Sequence, residues 1–412
     1  MMGDGRPRRL LFITWDAPEA SYLQSLFLPI FAGLKTHGVE TDVLQFRWGD
    51  KALTRHAAEA CRAHGIGYRA APVFRVAGGA GALASALWGR FAVRSAVRSF
   101  GSDVLMPRSL MPALATLAAG ADRLGPVVFD ADGLAVDERV EFAGLSPLGS
   151  TYRILRDVEA QAVRRSTSVI VRSSRAADIL CDRAGPPVGR DRFHVVTNGR
   201  DETLFEPGDE ASRQAVRSAI GMAATAPIIA YAGSVGAQYR FDLFGDFARA
   251  VLDRRPDARL LVLTGAPDQA RAWLAQSGTG VADAAVVMAV PPDEVPRYLA
   301  CADVGAAFRQ PSFSMTAVAP IKLAEYLLCG LPVVGTAAIG DTSRAVETGV
   351  FLNADGQMNA AADWFVDRIL PARERWRDLA RGIGIDAFSL GRSVRDYRDA
   401  LAPVGGIGDR TW

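Results

Sequence analysis

Lysine is nearly absent. Of 47 basic residues only Lys35, Lys51 and Lys322 are lysines. Cysteine is scarce too: Cys61, Cys181, Cys301 and Cys329 lie far apart with no C-x-x-C pair, so neither zinc nor a redox pair is indicated, and buried free thiols in a reducing compartment are expected. No apolar stretch approaches the ~18 residues of a membrane-crossing helix. Arg8-Arg9 followed by Leu10-Leu11-Phe12-Ile13 imitates a signal peptide, but the apolar run is short and no small-residue cleavage site follows, so a cytoplasmic location is expected. A net charge of +2 provides no bulk attraction for nucleic acid, and no such partner is expected. There is no internal repeat or low-complexity tract. What is present, 412 residues at 49% hydrophobic and 22% charged, is the material of an ordinary globular protein of two or three domains.

Along the chain, short apolar runs alternate with amphipathic stretches. Leu10 to Thr14, Thr41 to Phe46, Asp103 to Met106, Val127 to Phe129 and Val169 to Val171 read as strands, and in the second half so do Pro227 to Tyr231, Arg259 to Thr264, Ala285 to Met288 and Val304 to Phe308. The segments between them read as helices, which predicts α/β architecture with parallel sheets covered on both faces. Gly185-Pro186-Pro187-Val188-Gly189 reads as an interdomain linker. Ala80 to Phe100 reads as one helix with Arg90, Arg94 and Arg98 on one stripe and Trp88, Phe91 and Phe100 around it. That stripe is either a solvated basic face beside a core face or a docking face for an anionic membrane.

The most informative stretch is Ala319-Pro320-Ile321-Lys322-Leu323-Ala324-Glu325-Tyr326-Leu327-Leu328-Cys329-Gly330-Leu331-Pro332-Val333-Val334. Pro320 suits a helix start, while Gly330 and Pro332 end the helix before a short buried strand. Lys322 and Glu325 share one helical face. In the first turn a cation opposes the helix dipole, a conflict that a nearby anion would remove; the plainer alternative is a surface ion pair.

Pro-x-Lys-x-x-Glu-Tyr followed by Gly-x-Pro-Val-Val resembles the donor-site segment of family 4 glycosyltransferases, retaining enzymes of the GT-B fold. The resemblance implies that Glu325 binds the ribose of a nucleotide-sugar and Lys322 its diphosphate. The family's second Glu, eight residues earlier, is replaced by Ala317. Asn198-Gly199-Arg200-Asp201 resembles the family's Asn-Gly-x-Asp at the domain junction. After the strand ending at Tyr231, Gly233-Ser234-Val235-Gly236 is similar to the family's phosphate loop, with Ser234 in place of its Arg and Arg240 in place of its Lys. The glycines permit close backbone approach to a phosphate, and Arg240 has the fork to clamp it; the alternative is a plain glycine turn with a surface arginine. Ser314, in Pro311-Ser312-Phe313-Ser314, and Asp341 are further donor-binding candidates, Asp341 being equally a helix cap.

In the first half, the acidic segment from Phe129 to Arg139 follows a strand, where sites form in open α/β sheets. Asp132 takes the place of a family His that contacts the transferred sugar; otherwise Asp130 and Asp132 are capping and turn residues. Asp130-Ala131-Asp132 also has the spacing of a metal pair, which belongs to the other glycosyltransferase fold, so no metal and no cofactor are expected. Gln24 and Arg108, just after strands, are the acceptor candidates.

The expectation is therefore α/β, GT-B, with an acceptor domain over residues 1–188, a nucleotide-sugar domain over 189–385 and a C-terminal helix over 386–412 crossing back. Catalysis is expected from Asp132, Arg240 and Lys322, with transfer from a nucleotide-sugar to a glycan or lipid-linked acceptor hydroxyl. A sugar-nucleotide epimerase and a non-catalytic cleft-type binding protein are the alternatives.

Overall fold

The computed structural model describes residues 8–17, 22–74, 80–340, 342, 345, 349–352 and 357–404. The chain forms two compact units, Met1–Thr197 with Ser393–Trp412, and Asn198–Arg392.

In the first unit β1 (Arg8–Trp15), β2 (Val39–Arg47), β3 (Gly67–Pro72) and β4 (Val104–Pro107) form a parallel sheet in the order β3-β2-β1-β4. Single bridges, Leu105 to Val127 and Arg108 to Asp130, connect it to a second parallel group, β5 (Val128–Asp130), β6 (Ser168–Val171) and β7 (Phe193–Val195). Leu10, Leu11, Phe12 and Ile13 of β1 are buried one after another, so both faces of this strand are covered. Each such side chain contributes ~1.5–3 kcal/mol by leaving water.

The boundary between units falls after Thr197, where the glycine-proline stretch had placed it at 188/189. The reason is β7: Phe193-His194-Val195 pairs with Val169-Ile170-Val171, so the chain completes the first sheet before leaving it. It rejoins the first unit at Ser393, within the helix Leu390–Leu401. The single helix expected over 80–100 is two, Ala80–Trp88 and Arg90–Phe100. They break at Gly89, where a Cβ would lie 2.7 Å from the Phe46 ring.

The second unit holds one parallel sheet of β8 (Ile228–Ala232), β9 (Arg259–Leu263), β10 (Ala285–Met288), β11 (Val304–Ala307), β12 (Val333–Thr336) and β13 (Gly349–Leu352), in the order β10-β9-β8-β11-β12-β13. In both units the first strand lies between neighbours reached in opposite directions, β1 between β2 and β4, and β8 between β9 and β11. Open parallel sheets bind ligands at the carboxyl ends of strands flanking such a switch point.

Candidate functional site

At the second unit's switch point the helix Ile321–Leu328 packs over β8 and β11. Pro320 caps it, extended at ψ 114°, and Gly330 follows it at φ +73°. Tyr326 fixes its height: its hydroxyl accepts the Ala232 N–H at 2.8 Å and donates to the Ala306 carbonyl at 3.2 Å, filling the gap where the two strands part. Its ring lies on Gly305, where a Cβ would come within 2.5 Å of it. Asn198 donates to the Ala319 carbonyl just before the helix.

This packing buries Lys322, whose side chain runs beneath the loop after β8; a Cβ on Gly233 (φ +122°) would stand 3.6 Å from its Nζ. The ammonium lies 4.0 Å from the Tyr231 ring centroid and 5.3 Å from that of Tyr239, yet among the described residues no acceptor is within hydrogen-bond reach. Burial, then the nearby Arg309 charge, bring its pKa down to about 7, with Glu325 pulling the other way. Arg309 leaves the end of β11, lies 5.1 Å from the Tyr239 ring centroid, and touches the Met315 sulfur at 3.3 Å; its Nε is also buried without an acceptor among the described residues. Two cationic groups with unsatisfied N–H donors thus gather around Tyr239. A buried charge without a partner is costly, and an anion would satisfy both groups.

Glu325 offsets the Lys322 charge only in part, because Arg200 holds its carboxylate at 3.1 Å. Burial raises the Glu325 carboxyl above its ordinary range against the pull of Arg200 and Lys322. The Ser234 carbonyl accepts the Tyr231 hydroxyl, and Gly236 (φ +150°) turns the loop. Arg240, at φ +41°, has its fork on Asp242 at 2.8–3.0 Å, so that carboxylate already meets the charge expected to clamp a phosphate. Ser314 is fully buried in the short turn next to Met315. Asp341 lies outside the described residues.

The first unit has its own charged cluster at strand carboxyl ends. Arg108, after β4, pairs with Asp132 at 2.6 Å and lies against the rings of Phe27 (4.9 Å) and Tyr22 (5.8 Å). Those rings flank Gln24 on a turn that is π-helical over Leu23–Phe27, and the Gln24 Oε1 is buried without a donor among the described residues. π-Turns of this kind are frequent at functional sites. Behind Asp132, the buried Asp130 accepts Arg172 through both oxygens at 2.8 and 2.7 Å, and Tyr397 accepts from Arg172 and donates to Asp130 at 3.2 Å each. Burial alone would raise the Asp132 carboxyl, but Arg108 and Arg172 outweigh it and hold it below the usual carboxylate range. Asp132 (φ +63°) and Ser109 (φ +65°) both occupy left-handed backbone, strain of the kind that gathers at functional sites. Gln24, Arg108 and Asp132 thus fall in one region.

Arg309, Arg172 and Tyr397 were not expected from the sequence, and Arg200 was expected only as the variable place of the junction motif. Arg309 and Arg172 each follow a strand almost immediately, the same signal that selected Arg108. Tyr397 carries no such signal. Among the described residues no group of three His, Cys, Asp or Glu side chains is placed to hold a metal ion, and no helix is long and apolar enough to cross a membrane.

Residues 226–369 match the family Glycosyl transferases group 1. The chain is 32% identical over 143 residues to alpha-maltose-1-phosphate synthase of Mycolicibacterium smegmatis, covering 32% of this chain and 36% of that protein. It is 30% identical over 220 residues to D-inositol 3-phosphate glycosyltransferase of Jonesia denitrificans, covering 50% of each. The chain therefore matches half or less of the length of these curated relatives. Among solved structures, Anabaena Alr3699/HepE in complex with UDP and glucose superposes with a TM-score of 0.69 at 16% identity, over 95% of this chain and 99% of that one. Two Rossmann-like units with parallel sheets and this likeness over nearly the whole chain establish the fold as GT-B.

Proposed function

We propose that this protein is a glycosyltransferase that moves a sugar from a nucleotide-sugar to an acceptor hydroxyl with retention, in the assembly of a glycan or lipid-linked glycan. The observation that carries the reading is the buried Lys322 ammonium, with no acceptor in reach among the described residues and Arg309 beside it, at a switch point of the sheet. A diphosphate supplies the missing negative charge, and Glu325, held by Arg200, faces the ribose. The family match over residues 226–369 contains Lys322, Glu325 and Arg309 and supports this assignment. So do the relatives: two are named for glycosyl transfer or synthesis of a sugar phosphate, and the superposed structure holds UDP and glucose.

Breaking the glycosidic bond to a diphosphate leaves negative charge on the departing oxygen and positive character on the sugar. Lys322 and Arg309 are assigned to the first, as fixed charges in a dry site where they need no reorganisation. The Ser234 loop contributes backbone N–H groups. Arg240 joins only by exchanging Asp242 for phosphate. Asp132, kept ionised by Arg108 and Arg172, is assigned to the sugar, and Arg108 and Gln24 to acceptor hydroxyls. No metal is invoked.

Calorimetric titration with nucleosides and nucleoside diphosphates, followed by product analysis with the nucleotide-sugar that binds, tests the reading. Diphosphate-dependent binding and a new glycoside are expected. Release of a free isomerised sugar or nucleotide-sugar without an acceptor would replace transfer by epimerisation, and binding without turnover across donors and acceptors would remove catalysis.

A further inference from the structure

Between Glu59 and Asp103 the chain carries six arginines and no carboxylate. The two helices that meet at Gly89 lie in this stretch. Toward the interior the helix Arg90–Phe100 presents Val93, Ala96 and Val97. On its outer side Arg90, Arg94 and Arg98 follow at four-residue spacing, all exposed. Arg94 uses its Nε on the Ala119 carbonyl; among the described residues neither Arg90 nor Arg98 pairs with a carboxylate.

The joint between the helices is apolar and uncovered. Trp88 is 66% exposed, Leu87 49% and Phe91 46%. The Trp88 and Phe91 rings meet edge to face at 5.5 Å, and the Arg90 guanidinium lies 4.7 Å over Phe91. Phe74, also exposed, is tied to the first helix by its N–H bond to the Ser85 hydroxyl. A purely solvated face has no use for three large apolar side chains at its tip, and a core stripe would be buried. Aromatics at the end of an acid-free cationic stripe match the boundary between headgroups and acyl chains: rings enter the boundary while arginines remain among the phosphates.

We propose that Leu87, Trp88 and Phe91 with Arg90, Arg94 and Arg98 form a docking face for an anionic lipid bilayer. Charge complementarity selects the occupant, because an uncharged partner would leave three arginines unanswered. The inference is independent of the donor-site reading, since it involves none of its residues.

The test is co-sedimentation of the intact protein with vesicles of mixed phosphatidylglycerol and phosphatidylcholine, against phosphatidylcholine alone, at low and high salt. Binding to the anionic vesicles only, lost at high salt, is expected. Each cation near such a surface changes partition about fivefold. Arg90→Gln with Arg98→Gln, neither of which holds a backbone carbonyl, should weaken it roughly 25-fold, and Trp88→Ser with Phe91→Ser should abolish it at unchanged melting temperature. Indifference of the parent protein to anionic vesicles, equal binding to neutral ones, or full binding by both variants overturns the proposal. So does sedimentation in which the parent is a dimer that the Trp88 and Phe91 changes dissolve, which would give the face to a second copy.

Discussion

Replacing Lys322 with methionine removes a buried ammonium while keeping an unbranched side chain of similar reach. In the ligand-free protein, burial and then Arg309 lower the Lys322 pKa from 10.5 to about 7. At about 1.36 kcal/mol per pH unit, the charged form carries a cost of about 5 kcal/mol. The sign follows from proton counting. The unfolded chain keeps the proton up to 10.5 and the folded chain releases it above about 7, so ligand-free stability rises with pH across that window. The rise is at most about 1.36 kcal/mol per unit. Lys322→Met has no such slope and should be more stable at neutral pH, with about 4 kcal/mol as the ceiling. Binding runs the other way. A diphosphate needs the ammonium, so above pH 7 it must draw in a proton, and its affinity should fall by up to about tenfold per unit. A nucleoside without phosphates should show no such dependence. Denaturant unfolding of parent and variant from pH 6 to 10, and titration calorimetry in buffers of different ionisation heat, read both quantities. A variant that binds the diphosphate as tightly as the parent, or a parent whose binding takes up no proton at pH 8, would refute the reasoning.

Glu325→Gln keeps the size of the side chain but gives Arg200 an amide in place of a carboxylate, and should weaken nucleoside and diphosphate alike by about 1.5–3 kcal/mol in calorimetry. Asp132→Asn should lower turnover at least tenfold without changing diphosphate affinity. Because the Asp132 carboxyl is held below its ordinary 3.8, its stabilisation is complete above that pH and lost below it, so the variant should also show a flatter acid limb in unfolding curves. Turnover should survive EDTA; complete loss restored by magnesium or manganese would turn Asp130 and Asp132 into a metal pair. Tyr397→Phe should lower stability by about 1 kcal/mol in denaturant titration, since Asp130 loses one of its donors.

Local physics is what the sequence determined by itself. Continuous apolar runs such as Leu10 to Ile13 marked buried parallel strands, because both faces of such a strand need cover. Proline and glycine punctuated the helix Ile321–Leu328 through φ preferences that act within a few residues. The short strands β3, β7 and β13 were not legible, since Gly67–Pro72, Phe193–Val195 and Gly349–Leu352 are fixed by neighbours in the sheet and have weak patterns of their own. The close approach of the Phe46 ring to Gly89, at the joint between the two helices, likewise involves a residue remote in sequence.

Charge pairing was decided only by tertiary structure. A lysine in a first helical turn was visible; that its ammonium is buried without an acceptor depended on how Tyr326 seats the helix against β8 and β11. Glu325 was expected beside Lys322, but Arg200, more than a hundred positions earlier, holds it. Arg240 was expected to be available and is met by Asp242 once the backbone turns left-handed between loop and helix. Asp130 and Arg172 meet because β5 and β6 pair side by side, and Tyr397 joins them only because the last helix returns to the first unit. Coulomb interactions depend on distance and burial in space, and neither is written in the spacing of residues along a chain.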